Sequence, residues 1–186
     1  MKAAGHLASS FALFLVAISF AHAQASSSNR AQDEAIPDVP EVIQVPTGER
    51  VVLFARGVGN QIYTCKEGTD HKLAWILKAP EAELKDRDDK VIGQHSAGPT
   101  WKLKDGSEIT GKATAKVDSL DPESVSWLLI NVISHSGNGK LNDVNYVQRL
   151  HTHGGAAPAE GCDQAHRGGE TKSSYSADYY FYAPAR

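Results

Sequence analysis

Short apolar runs split by turn residues make up most of the chain from Val42 onward. Within several of these runs apolar and polar residues alternate, which is the period of a strand that buries one face. The strand candidates recur about every ten to fifteen residues, and few stretches have a helical period. The pattern predicts a single-domain, all-β antiparallel sandwich or barrel over residues 41–186.

Two turn signals divide the middle of the chain. Asp105-Gly106 stands between "TWKL" and "EITGK" and favours a tight turn, so we expect a hairpin over residues 102–110. Gly98-Pro99 predicts a bend, because proline cannot donate a backbone hydrogen bond and disfavours helix at the residue before it. Trp101 and Leu103 then share one face of a strand, which predicts that both are buried.

The stretch "VVLFARGVGNQI" resembles the start of a dinucleotide-binding turn. It has the first two glycines, Gly57 and Gly59, but Ile62 stands where the third belongs. A strand-like run follows, whereas a pyrophosphate site needs a helix N-terminus there. The sequence therefore favours a hairpin turn at the two glycines over a nucleotide site.

The remaining segments have less specific patterns. "HKLAWILKAP" predicts a strand that stops at its proline, and "SVSWLLINVIS" is a strand, which its Val and Ile content favours, or a buried helix. Residues 154–174 predict a long Gly-rich loop. In the last strand, alternation places Tyr180 and Tyr182 on one face and Tyr179 and Phe181 on the other, for core packing or for stacking on a carbohydrate.

The N-terminus predicts a signal peptide over residues 1–23. Lys2 supplies the positive end, "LASSFALFLVAISF" is a short apolar segment, and Ala21-His22-Ala23 matches the small-x-small cleavage pattern. The apolar run is short and Ser-rich for a membrane span, which favours a cleaved signal over an uncleaved anchor. Residues 24–40 are polar and predict a flexible leader. We therefore expect a secreted protein, extracellular or periplasmic, with no stable membrane span after cleavage.

Cleavage would remove Lys2 and move the formal charge from −3 to −4. Acidic and basic residues are interspersed, with no basic stripe of the kind that follows a nucleic-acid backbone. We therefore expect no nucleic-acid partner and no cofactor, and the sequence identifies no other partner.

The chain contains two cysteines, Cys65 and Cys162. An even number in an exported protein predicts one disulfide, the alternative being two buried free thiols. The bond would close a loop across most of the domain, and the chain-entropy model gives such a closure about 4 to 5 kcal/mol of stabilisation before strain.

His151 and His153 are two residues apart, so a strand would direct both imidazoles to one face, where they could reach a metal ion. The spacing supplies no third ligand, and histidines beside Gly-Gly at a strand end are typically exposed. We therefore predict that this pair holds no structural metal.

Six segments taken in order, "GNQIYTC", "GQHSAGPTWKLKDGSEITGK", "SWLLINV", "LNDVNYVQRL", "GGAAPAEGC" and "YSADYYFYAP", resemble the "domain of unknown function" 3455 family of exported bacterial and fungal proteins. The resemblance runs from about Ile43 to Pro184. It supports the pairing of the two cysteines, which lie in its "YTC" and "GC" blocks, and it places His95 and Trp101 in one "H-x-x-G-P-T-W" block. The "HTH" of residues 151–153 departs from the family pattern. The resemblance implies no established activity.

The candidate pocket consists of His95, Trp101, Tyr63 and Arg149. Trp101 either caps the core or forms the floor of a pocket in which His95 is a hydrogen-bonding or acid/base partner. Spacing fixes no nucleophile, acid or base beside His95, so we predict no catalytic residue. The sequence favours a non-catalytic binding or extracellular/envelope module, and the alternative is a hydrolase or metal-dependent oxidoreductase that uses His95 and neighbouring polar residues.

We expect the exported protein to begin at Gln24, because the cleavage pattern ends at Ala23. Intact mass spectrometry of the untagged, exported protein measures this start directly. A mass that still includes residues 1–23 would contradict the prediction.

Overall fold

The structure is a computed structural model that describes Met1 and residues 35–185. Residues 2–34, which hold most of the predicted signal peptide and leader, lie outside the described residues. Within the described part, no helix has the length and apolar character needed to cross a membrane. One turn of 3-10 helix, Glu41–Ile43, precedes eight strands: β1 Glu49–Glu67, β2 Leu73–Lys85, β3 Val91–Ser96, β4 Thr100–Leu103, β5 Glu108–Val117, β6 Trp127–Ser136, β7 Tyr146–Gly154 and β8 Glu170–Pro184.

The eight strands form one closed antiparallel barrel, which confirms the all-β prediction. Each strand pairs with the next along the chain, and β8 returns to pair with β1 from Glu49 opposite Pro184 to Thr64 opposite Glu170. Alternate residues of each strand therefore point into the barrel and out of it. The stretch "SVSWLLINVIS" contains strand β6, and the alternative of a buried helix is wrong.

Both turn predictions in the middle of the chain are confirmed. β4 pairs with β5 around Asp105-Gly106, where the Gly106 amide donates to the Leu103 carbonyl at 3.2 Å. β3 pairs with β4 around Gly98-Pro99, and Gly98 has a φ of 122°, a left-handed value that favours glycine. The bend places His95 directly opposite Trp101 in the register of the two strands.

The hairpin turn expected at Gly57 and Gly59 is wrong, because both residues lie in the middle of β1. Their role is to leave space. A Cβ atom on Gly57 would lie 2.6 Å from Cε2 of Tyr179, and one on Gly59 would lie 2.1 Å from the Glu81 carbonyl oxygen. The glycines let a large inner ring and a neighbouring strand approach the backbone of β1.

Two strand boundaries also differ from the sequence analysis. β2 runs through Pro80 to Lys85, because Pro80 lies beside a register shift in β1 and before the point at which β2 begins to pair with β3. Proline is tolerated at such bulges and edges. β8 begins at Glu170, so the Gly-rich loop is shorter than predicted. The polar residues at the start of β8 hid this strand, which pairs with β1 throughout.

Aromatic side chains fill the inside of the barrel. Trp101 is fully buried, and its ring centroid lies 5.8 Å from that of Tyr179 and 6.2 Å from that of Phe181, both edge-on. Leu103 is also buried in this cluster, as the alternation with Trp101 predicted. An eight-stranded barrel is just wide enough for its interior to be filled in this way.

A second apolar cluster lies on the outside of the barrel. Tyr180 and Tyr182 alternate with the inward Tyr179 and Phe181, as predicted. They pack with Val39 and Ile43 of the N-terminal segment and with one residue each of β1, β6 and β7: Val51, Leu129 and Leu150. Both faces of the last strand are therefore buried, so these tyrosines form core rather than an exposed stacking surface.

The predicted disulfide is present between Cys65 and Cys162, whose Cα atoms are 5.3 Å apart. It joins the end of β1 to the loop that precedes β8. Backbone hydrogen bonds beside it link Cys65 to Gly168 and Gly169. The loop between β7 and β8 is thus fixed to the barrel by one covalent bond and by a short ladder.

Replacing Trp101 with Ala should lower the free energy of unfolding by about 3 to 5 kcal/mol, because it leaves a cavity in the barrel interior. Chemical denaturation followed by circular dichroism measures the change. Leu77→Ala is the control, since half of this strand residue is exposed (50 %) and its loss should be small. A Trp101→Ala protein as stable as the wild type would refute the packing role of this ring.

Candidate functional site

The four residues of the predicted pocket come together on the inner side of the barrel wall. His95 and Trp101 face each other on β3 and β4, with ring centroids 4.6 Å apart and ring planes 12° from parallel. Tyr63 lies on β1, and Arg149 lies on β7 directly opposite Tyr179. His95, Trp101 and Tyr63 are buried, whereas Arg149 is half-buried.

His95 is held as a neutral imidazole. Its Nδ1 lies 2.9 Å from the Thr100 carbonyl oxygen, which can only accept, so Nδ1 carries the proton and Nε2 is left as an acceptor. Burial lowers the pKa of His95 to about 4, with the Thr100 hydrogen bond opposing this shift and the charge of Arg149 adding to it. At neutral pH His95 therefore carries no charge.

Arg149 and Tyr63 are anchored by backbone carbonyl groups. Nε and Nη2 of Arg149 donate to the Ser126 carbonyl at 3.1 and 2.8 Å, and the Tyr63 hydroxyl donates to the Gly155 carbonyl at 2.6 Å. Burial raises the pKa of Tyr63, and the nearby charge of Arg149 partly offsets this. Among the described residues, no carboxylate forms an ion pair with Arg149.

Two further polar residues, Tyr175 and Gln61, belong to this cluster and were not among the predicted site residues. The Tyr175 hydroxyl lies 3.3 Å from that of Tyr179, and burial is the main cause that raises the pKa of both. Gln61 is buried, and its Nε2 finds no hydrogen-bond partner within the described structure. Tyr175 and Tyr179 are four residues apart, so strand alternation could have predicted that they share one face. No pattern in the sequence predicts that Gln61 joins them.

Of the four predicted residues, His95 also borders a surface groove. The groove has a volume of about 430 Å³ and lies where β2 extends past the end of β3. Its wall is made of polar side chains with small or apolar residues between them: Val58, Gly59, Asn60, Glu81, Ala82, Glu83, Gln94, Ser96 and Lys172. The sequence analysis did not identify these residues as a site, because exposed polar residues on separate strands share no local pattern.

The charges of the groove are partly paired. Nζ of Lys172 lies 2.8 Å from Oε2 of Glu81, and this contact lowers the pKa of the Glu81 carboxyl. With Glu83 the lining has a formal charge of −1, from one lysine against two glutamates. The groove therefore suits a neutral ligand that forms hydrogen bonds better than it suits an anion.

His151 and His153 lie near different carboxylates. Nδ1 of His151 lies 3.0 Å from Oδ2 of Asp178, whereas the charge of His153 acts on Asp121. A register shift between Leu150 and His153 interrupts the simple strand alternation. No group of three or more His, Cys, Asp or Glu in the described part of the chain is arranged to hold a metal. That this pair holds no metal stays a prediction.

The fold and the cluster together define a disulfide-linked, eight-stranded barrel protein with a polar and aromatic interior. Residues 46–183 match the model of the protein of unknown function family DUF3455, and the chain belongs to that family. None of the curated proteins compared matches the chain, and neither does any solved structure.

The depressed pKa of His95 makes stability depend on pH. Between about pH 6.5 and pH 4 the unfolded chain binds a proton at this residue and the folded protein does not, so stability falls as the pH is lowered through this range. In a His95→Phe variant, the free energy of unfolding should change less steeply with pH in this range, by about 1.4 kcal/mol per pH unit.

Denaturation of both proteins at several pH values measures the two slopes. His71→Gln, which changes an exposed histidine, serves as the control. Parallel curves for wild type and His95→Phe would show that His95 titrates equally in the folded and unfolded states.

Proposed function

We propose that this protein is an exported, non-catalytic binding module that takes a small, hydroxyl-rich ligand in the groove beside His95. The observation that carries the proposal is the groove of about 430 Å³ itself, whose outward polar side chains surround one paired lysine and which His95 borders from the inner side of the wall. Ligand sites of this size orient their ligands with a few fixed polar groups.

The polar groups of the groove suit hydroxyl groups as partners. Ser96 and the amides of Asn60 and Gln94 donate and accept, and the one lysine is already paired with Glu81. A neutral ligand with several hydroxyl groups can satisfy such a set without bringing an unpaired charge out of water.

Export is part of the proposal and rests on two observations. The N-terminal residues have the pattern of a signal peptide, and the Cys65–Cys162 disulfide is of the kind that persists in oxidising compartments. A disulfide that fixes the loop before β8 also suits a protein that works outside the cell.

The alternative of a hydrolase or oxidoreductase that uses His95 finds less support. In the described structure the contacts of His95 are the Thr100 carbonyl and the rings of Trp101 and Tyr179. A general base needs a pKa near the working pH and a nucleophile or water within reach, and burial moves His95 away from that range.

Titration of the protein with a panel of neutral sugars and polyols, followed by NMR of the backbone amides, tests the proposed function. The shifted amides should cluster on the groove, and Gln94→Ala should weaken binding about tenfold through the loss of its hydrogen bonds. Gln164→Ala, an exposed glutamine outside the groove, is the matched control.

His95→Phe tests whether the groove wall alone binds the ligand, because the imidazole faces the barrel interior and the change keeps a ring against Trp101. Binding close to that of the wild type, with an unchanged set of shifted amides, is expected. The proposal fails if no sugar or polyol shifts the groove amides, or if ligand is converted to product in the same samples.

A further inference from the structure

A larger cleft lies at the opposite end of the barrel from the groove beside His95. The loop between β6 and β7 covers the start of β1 and the end of β8, and it leaves a cleft of about 580 Å³. Charged and amide side chains surround a small apolar floor: Arg50, Val52, Gly139, Lys140, Asn142, Asp143, Asn145, Ala183 and Pro184.

The cleft contains two cations, Arg50 and Lys140. Within the described structure neither lies within ion-pair distance of a carboxylate, although the charge of Lys140 acts on the nearby carboxyl of Asp105. The whole chain is acidic, with a formal charge of −3. Counting Asp143, which has an interaction of its own, the lining has a formal charge of +1. Its sign is opposite to that of the groove beside His95.

The loop that forms the cleft wall is fixed to the barrel. The Lys140 amide donates to Oδ2 of Asp105 at 2.8 Å, and the Leu141 amide donates to the Ser107 hydroxyl at 3.3 Å. The side chains of Leu141 and Val144 are fully buried in the core of the barrel. A wall held in this way keeps the cleft in place before any ligand arrives, which lowers the entropic cost of binding.

The two cations differ in what they offer a ligand. The Arg50 guanidinium is a planar fork that matches the two oxygens of a carboxylate or phosphate, and the Lys140 ammonium is a mobile point charge. Val52, Ala183 and Pro184 provide an apolar surface between them. A ligand with an oxyanion at one end and an apolar body at the other satisfies both parts of the lining.

We propose that this cleft is a binding site for a small organic oxyanion, with Arg50 and Lys140 holding the charged group and the apolar floor holding the carbon skeleton. The site is separate from the groove beside His95 and does not depend on the function proposed for that groove. It gives one protein two ligand surfaces of opposite charge at opposite ends of the barrel.

Binding of three probes of similar size tests the site: benzoate, phenyl phosphate and neutral benzyl alcohol, each titrated by NMR of the backbone amides. Both anions should shift amides of the loop between β6 and β7, and benzyl alcohol should not. The tighter of the two anions tells whether carboxylate or phosphate chemistry fits better. Added salt should weaken both, because exposed charges are screened.

Arg50→Gln and Lys140→Gln should each weaken anion binding about tenfold, which is the value of one charged hydrogen bond. Lys112→Gln removes the same charge from exposed β5 and is the matched control. Thermal melts of all three check that folding is unchanged. Gln94→Ala should leave anion binding intact, which separates this site from the groove.

Three results would overturn the proposal. The first is no shift with either anion at millimolar concentration. The second is equal binding of benzyl alcohol, which would show an apolar contact without charge recognition. The third is anion binding that Arg50→Gln and Lys140→Gln leave unchanged, which would place the anions elsewhere on the surface.

Discussion

The pairing of β1 with β8 is the constraint on which the rest of the structure depends. It joins the first strand to the last and removes the free edges that an open sheet would present to other chains. It also fixes which residues face inward, because alternation on the two long strands is set by their common register. The Cys65–Cys162 bond reinforces the same junction, since it ties the end of β1 to the loop before β8.

Closure explains why glycine occurs where the sequence suggested a turn. The interior must hold the rings of Trp101, Tyr179 and Phe181, and an eight-stranded wall leaves little room for them. Gly57 gives the Tyr179 ring its space. A glycine that makes room for a ring and a glycine that turns the chain look identical in a local sequence window. The hairpin turn predicted from the local pattern was therefore wrong.

Features that obey short-range rules could be predicted. The hairpin at Asp105-Gly106, the bend at Gly98-Pro99 and the shared face of Trp101 and Leu103 each depend on neighbours in sequence. The choice between sandwich and barrel could not be made, because both have the same alternation and differ only in whether the first and last strands pair. Pro80 was misassigned for a related reason, since its tolerance depends on which strand lies beside it.

The candidate site also combines features that follow from sequence neighbours with features that follow from strand pairing. His95, Trp101, Tyr63 and Arg149 meet because all four lie on the inner side of the wall, which alternation can suggest. The groove residues Gln94 and Asn60 belong to separate strands, and only the register of the folded sheet brings them to one place. Exposed polar residues have no period that would mark such a meeting.

The packed interior decides where this barrel can bind a ligand. Barrels of eight strands either hold one small ligand inside or fill the space with side chains, and here aromatic rings occupy it. We propose that recognition then occurs where the wall is uneven. One such place is where β2 extends past the end of β3. The other is the loop between β6 and β7, which covers the start of β1. His95 lies between the packed interior and the groove, because its ring packs on Trp101 inside the barrel while the residue borders the groove outside. Because the imidazole faces the interior, a change in the inner packing would act on the groove through the backbone of β3, and the aromatic core therefore supports the groove without forming its surface.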